Sequence, residues 1–268
     1  MLKLLRADFY RALRFKIFYL ALAVNAVVAV GCILNMLSYA RFGPYGAYNV
    51  LLEGMGGGFG YVGILSSVAV SIFIGHEFSC GAMRNRVIAG SGRARIYLSK
   101  LIVSAAMCVC IYLVYHLLNF TLGSALLGWN GYSFADAFLP FLAGLFMTLA
   151  YAAVFTVVAM YTKSTVAGLL IGIIGSLAVS MFSSVIMMGL SSRVDMLPNG
   201  DFVEYPCDWH PFVQWLARTF VQLMPSGQAY LMTAYGGAEY GLYIGLSCCW
   251  AVLSAAGGSL LFRKVPLK

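Results

Sequence analysis

Residues 137–192 read AFLPFLAGLFMTLAYAAVFTVVAMYTKSTVAGLLIGIIGSLAVSMFSSVIMMGLSS, and Lys163 is the only charge among them. Two charge-free stretches, 137–162 and 164–192, flank that lysine. Each exceeds the roughly 20 apolar residues a helix needs to cross the hydrocarbon of a bilayer. A helix apolar on every face belongs in lipid or in a large core, so the pair reads as two membrane spans joined by a short turn. The property extends outward in both directions. Stretches 17–40, 54–76, 101–135, 219–238 and 240–262 also lack Asp, Glu, Lys and Arg.

Composition agrees. Of 268 residues, 62% are hydrophobic and 10% charged, against about 25% charged in ordinary soluble domains. Mean hydropathy is +0.87. A soluble domain needs more polar surface than this, and a disordered chain cannot hold so much apolar surface. Of the seven stretches, 219–238 is the exception, because it contains Gln222, Pro225, Ser226, Gly227 and Gln228. A continuous span there would break at Pro225 and turn polar groups to lipid, so an interfacial or re-entrant segment is expected.

The few charges set the orientation. With six spans, segments 1–16, 75–100, 161–165 and 263–268 share one side and hold fourteen of the 17 Lys/Arg, with Asp8 and Glu77 as their only acids. Arg41, Arg193, Arg218 and the other seven acids fall opposite. The excess of Lys/Arg on cytoplasmic loops therefore predicts an all-α integral membrane protein with six transmembrane helices and both termini cytoplasmic. Spans are expected at about 17–38, 57–76, 101–127, 138–160, 166–190 and 241–262, in a single transmembrane domain. The net charge of +8 is explained by this bias and implies no nucleic acid.

Ahead of the first span, Leu2, Leu5, Phe9 and Leu13 recur at helical spacing, with Lys3, Arg6, Arg14 and Lys16 among them. The segment is either an amphipathic interfacial helix on the inner leaflet or a topogenic charge cluster. The apolar stretch that follows is too long for a signal peptide, and a retained first span is expected. Gly168 with Gly172, and Gly241 with Gly245, make two GxxxG motifs that permit close helix approach. Of the seven cysteines, Cys32, Cys108, Cys110, Cys248 and Cys249 lie in apolar runs, and Cys80 and Cys207 sit apart in loops. No disulfide framework or zinc site is implied.

Two loops carry specific content. The cytoplasmic segment 77–100 holds Glu77, then Phe78, Met83, Val87 and Ile88 as one face of a short helix after Gly81, ended by Gly90-Ser-Gly92. Arg93, Arg95, Tyr97 and Lys100 follow at the next span. The extracellular segment 192–239 is acidic and aromatic, with Asp195, Asp201, Glu204, Tyr205, Asp208, Trp209 and Trp215. Pro198-Asn-Gly200 marks a turn. Asp208 is a candidate helix cap with Pro211 in the first turn, and Phe212, Trp215, Leu216, Phe220 and Leu223 form an apolar stripe. A second short helix is expected after Pro225.

The 77–100 loop resembles the corresponding region of ABC-2 type permeases, the membrane subunits of many bacterial ATP-binding cassette exporters. The matching residues are Glu77, Gly81, Arg84, Asn85, Arg93, Tyr97 and Lys100, with Ala82 where the family often has Thr and Gly92 where Ser is frequent. The basic N-terminal helix and the six-span layout with a long final outer loop also resemble the family. What the resemblance implies is an ABC-2 type transmembrane fold and a coupling helix, Met83 through Ile88, that docks on a separate ATPase subunit, with Glu77 and Arg93 as supports. It also implies a second permease chain, as homo- or heterodimer, and short outer helices over the exit, placing Trp209, Trp215 and Pro225 there. No cofactor is expected in this chain, since no P-loop occurs; ATP and Mg would sit on the partner. Small permeases of this kind resemble those exporting lantibiotic- or bacitracin-like peptides, and others move drugs, lipids or ions.

Other chemistries lack residues. His76-Glu77 has no second histidine for a zincin motif, Ala89-Gly-Ser-Gly92 has no buried base, and no paired carboxylates lie within a span. His116 is expected to serve packing. The competing function is a non-transporting membrane anchor or sensor that binds a cationic ligand through the acidic outer loop. The expected location is the cell membrane, multi-pass, in contact with membrane lipid.

Overall fold

The computed structural model describes residues 1–39, 46–56, 58–129, 131–190, 193–196, 202–205, 207–234 and 239–264. The helices are α1 (Leu2–Leu13), α2 (Lys16–Tyr39), α3 (Ala47–Gly56), α4 (Gly58–Ser79), α5 (Ala82–Ile88), α6 (Arg93–Leu118), α7 (Ser124–Leu127), α8 (Phe134–Thr162), α9 (Thr165–Leu190), α10 (Pro211–Leu223), α11 (Pro225–Ala234) and α12 (Tyr240–Lys264). A π-helical turn, Asn119–Gly123, joins α6 to α7. Among the described residues six helices are long and apolar enough to cross a membrane, which marks the chain as an all-α, multi-pass membrane protein. They correspond one to one with the six expected spans. The third begins at Arg93 rather than near 101, because Gly92, extended at φ −61° and ψ 136°, starts the helix two turns early.

Helices α4, α6 and α8 form the centre and α2, α9 and α12 the rim: 61% of the apolar window of α4 is buried but only 11% of that of α12. The rim helices turn Val27, Val185, Met188 and Leu253 outward. What faces inward is small or polar. Ser66, Ser67 and Ser71 of α4, Ser99 and Ser104 of α6, and Thr148 and Thr156 of α8 are all buried. Lipid is as apolar as leucine, so close backbone approach and internal hydrogen bonds, rather than hydrophobicity, select the contact face. The first GxxxG motif finds such a partner. A Cβ on Gly172 would lie 2.8 Å from the Cβ of Ser67, and one on Gly168 would lie 3.3 Å from that of Ser71. Gly241 and Gly245 have nothing within 4 Å of such a Cβ.

The segment before α12 is a broken helix pair and not a continuous span. The cap of α10 is His210, whose Nδ1 accepts from the Phe212 amide, and not Asp208; Pro211 is the first helical residue as expected. Phe212, Trp215 and Leu216 are more than half exposed, and the stripe they form faces outward. The chain breaks at Met224 and re-enters a helix at Pro225. At the break, Trp250 Nε1 donates to the Leu223 carbonyl (2.7 Å) and Gln228 Nε2 to the Gln222 carbonyl (2.7 Å), while Ser247 Oγ donates to Gln228 Oε1 (3.0 Å). These side chains satisfy backbone groups that lipid would leave unpaired. Trp250 lies ten residues along α12, about 15 Å from its start, so the tip of the pair packs beside the body of that helix. Helix α11 is buried there and packs against α3, a short helix the sequence did not announce.

Segment 192–239 also contains a small antiparallel ribbon, Arg193–Met196 paired with Phe202–Tyr205. The Pro198-Asn-Gly200 turn lies outside the described residues, as does Asp201. His116 sits fully buried among Tyr112 (4.1 Å), Tyr115 (5.2 Å) and Phe141 (5.8 Å between ring centroids), a packing position.

Candidate functional site

The loop singled out in the sequence becomes a compact structure at the basic end of the bundle. Gly81, at φ +71°, opens α5, a left-handed conformation that costs glycine nothing. Gly90, at φ +83°, and the extended Gly92 close it and lead into α6. Between them α5 is seven residues long and two-faced. Met83 is 1% exposed, and Val87 packs against the core with Phe78. Arg84, Asn85 and Ile88 point away from the protein. Ile88, expected on one face with Met83 and Val87, does not share it. At 73% exposure it belongs to the open one, because five residues along a helix is half a turn out of phase with Met83.

Beneath α5 lies a buried charge cluster that draws on four helices. Lys100 of α6 donates to Asp8 Oδ1 of α1 (2.7 Å) and to Glu77 Oε1 of α4. Arg86 of α5 donates to Asp8 Oδ1 (2.5 Å) and lies 3.4 Å from Glu77 Oε2. Ser99 Oγ donates to Asp8 Oδ2 (2.6 Å). Asp8, Ser99 and Lys100 are fully buried, and Glu77 nearly so. Arg11 reaches Glu77 from the rim at 3.6 Å, half exposed. Two carboxylates thus face two inner cations, a neutral set, as burial of charge demands. Burial alone would raise the pKa of Asp8. The neighbouring Lys100 charge and the hydrogen bonds from Arg86, Lys100 and Ser99 outweigh it and hold the carboxyl below its ordinary value of 3.8. Asp8 and Glu77 are both spent on ion pairing. The arrangement is a mechanical junction of α1, α4, α5 and α6.

The sequence-predicted residues divide accordingly. Glu77, Met83 and Lys100 lie inside the junction. Tyr97 is buried against α12, its hydroxyl donating to the Ser254 carbonyl (3.0 Å) over Gly258, where a Cβ would come within 2.2 Å of that hydroxyl. Arg93 Nη1 donates to the Arg263 carbonyl (2.8 Å), a cation at the C-terminal end of α12 where the helix dipole favours it. Arg84, Asn85, Val87 and Ile88 ride on α5, with Gly81 as its hinge. Sequence reasoning missed Asp8, Ser99 and Arg86. The signal for Asp8 was present: it is the one acid in an otherwise basic N-terminal helix. That helix is also rotated from its expected pose. Asp8 and Ala12 face inward with Leu4, Leu5 and Phe9 beside them, while Leu2 (82% exposed) and Leu13 (60%) turn outward.

At the opposite end, Trp209 is half-buried with its ring over Gly189, where a Cβ would lie 2.4 Å from it. Trp215 is exposed on α10, and Pro225 is buried at the tip of the broken pair. Among the described residues no three His, Cys, Asp or Glu side chains converge to hold a metal. The chain matches no family model, and a search of curated proteins finds no match.

Proposed function

We propose that this chain is the permease subunit of an ATP-binding cassette exporter of the ABC-2 type, one of two permease chains driven by ATPase subunits on a separate polypeptide. It would sit in the cell membrane with both ends in the cytoplasm, the side that the excess of Lys/Arg favours. The observation that carries the reading is the mounting of α5. Its outer face, Arg84, Asn85 and Ile88, is open, while its inner face is locked by Met83 and Arg86. A force on α5 passes through Arg86 to Asp8 of α1 and Glu77 of α4, and Lys100 ties in α6. Such a unit moves as a rigid body, which suits alternating access biased by nucleotide binding to one of two states. ATP and Mg belong to the partner. The charge-free spans suit an apolar or amphiphilic cargo such as an antimicrobial peptide, a drug or a lipid.

The test is co-expression with candidate ATPases from the same genome and purification in mild detergent. A stable complex with nucleotide hydrolysis is expected. Arg84→Glu combined with Ile88→Asp should abolish coupling without lowering the unfolding temperature, since both side chains are exposed. Full coupling in that variant, or no complex with any ATPase, refutes the assignment.

A further inference from the structure

We propose that the hollow between α1 and α4 at the basic end binds the phosphate headgroup of an anionic phospholipid. The cavity measures about 330 Å³ and is lined by Arg11, Arg14 and His76 around an apolar wall of Phe15 and Phe73. Its positive charge exceeds its negative charge. Glu77, the one carboxylate at its edge, is already engaged by Lys100 and Arg86. Arg11 makes only the 3.6 Å contact to Glu77 and is 49% exposed. Arg14 has no carboxylate partner among the described residues and lies over the ring of Tyr10, 4.3 Å from its centroid. Two guanidinium groups, which suit the oxygens of a phosphate, thus meet an open hollow whose one carboxylate, Glu77, is already shared with Lys100 and Arg86.

The apolar half of the site selects a lipid over a soluble anion. Phe15 and Phe73 meet edge to face at 5.7 Å and form its floor. The chain passes from α1 directly into the first span at Lys16, so the hollow lies at the level where a span begins. Leu2 and Leu13 on the same helix are exposed, as a helix seated at the headgroup boundary requires. Basic pockets between membrane helices are where anionic headgroups bind. The Lys100 ammonium lies over the Phe73 ring, 4.7 Å from its centroid. Neither Asp8 nor Lys100 lines the hollow, so a bound headgroup neutralises Arg11 and Arg14 and leaves the Asp8–Lys100 pairing intact. Headgroup occupancy fixes α1 against α4 from outside, as the cluster does from inside. The proposal rests on the six membrane spans and not on the exporter reading, which can fail separately.

The test uses the purified chain in nanodiscs of phosphatidylcholine alone, of phosphatidylcholine with phosphatidylglycerol, and of phosphatidylcholine with added inorganic phosphate. Retained lipid is read by native mass spectrometry and stability by thermal unfolding. Phosphatidylglycerol should be retained and raise the unfolding midpoint, with inorganic phosphate doing neither. Arg14→Gln should weaken phosphatidylglycerol retention roughly fivefold, the share of one cation near an anionic surface. Arg95→Gln, exposed on α6 outside the cavity, should weaken it by less than about twofold, as a screened surface charge does. Equal behaviour in the two lipid mixtures overturns the proposal, as does an Arg14→Gln loss no larger than that of Arg95→Gln. Protection by inorganic phosphate alone overturns the lipid assignment in favour of a soluble anion. Should Arg14→Gln fail to fold, the three wild-type arms still decide.

Discussion

Replacing Asp8 by Asn tests the junction directly. The side chain keeps its shape but loses its charge: an amide oxygen in place of Oδ1 still accepts from Lys100 and Arg86, without the negative charge that pairs them. Asp8 accepts from Arg86 (2.5 Å), Lys100 (2.7 Å) and Ser99 (2.6 Å) with no exposure to solvent. Breaking a buried ion pair by removing one partner costs about 3–5 kcal/mol. Glu77 still touches both cations, so the lower end, about 3 kcal/mol, applies. At about 2–4 °C per kcal/mol for a chain of this size, the unfolding midpoint in mild detergent should fall by about 6–12 °C. Adding Lys100→Met removes the cation left in excess over Glu77. The double variant should lose less than the sum of its parts, by at least about 1 kcal/mol of coupling. Arg6→Gln, on the exposed face of α1, serves as control and should shift stability by no more than about 0.5 kcal/mol. A midpoint for Asp8→Asn within about 2 °C of wild type, or strict additivity in the double variant, would refute the idea that this cluster holds α1 to the bundle.

The same carboxylate sets a pH dependence. Because its folded-state pKa is depressed below 3.8, its stabilisation is fully present above the unfolded value and is lost as pH falls through the folded one. Thermal midpoints should therefore be flat with respect to this group near neutrality and drop below about pH 4, with a smaller drop in Asp8→Asn. Gly172→Leu should separate α9 from α4, since even a Cβ there meets Ser67 at 2.8 Å; an overpacking cost of about 1–3 kcal/mol is expected. Gly245→Leu, with open space around it, should be close to neutral, and equal losses at the two sites would contradict the packing. Trp250→Phe should cost about 1 kcal/mol by leaving the Leu223 carbonyl unpaired at the break of the pair, read as faster proteolysis between α10 and α11. His116→Leu should leave stability unchanged or raised, because the ring nitrogens meet no partner among the described residues. A stable but inactive variant would instead make His116 functional.

The spans were legible because crossing a bilayer imposes a length and an absence of charge that can be read residue by residue. The α5 loop was legible for a different reason. Gly81, Gly90 and Gly92 punctuate it, and turns of that kind are local. The broken pair was half legible: Pro225 and the glutamines ruled out a span, but the seating of the tip depends on Trp250 and Ser247, both more than twenty residues later than Leu223. Which side of α1 meets the bundle was not legible, because its leucines suggested a single apolar face. Asp8, buried and matched by Lys100 and Arg86, faces inward with Leu5 and Phe9 beside it, while Leu2 and Leu13 turn outward.

From its amino-acid order alone, then, the chain declares six helices long and apolar enough to cross a membrane and the short helix between the second and third of them. These follow from the solvent, which acts on every residue separately. Which faces meet, and which charges close on one another, only the tertiary structure decided. In lipid an inward leucine and an outward one are nearly equivalent, so the hydrophobic pattern carries no direction. The decision falls to pairs distant in sequence: Gly172 with Ser67, Tyr97 with Gly258, and Asp8 with Lys100, ninety-two residues apart.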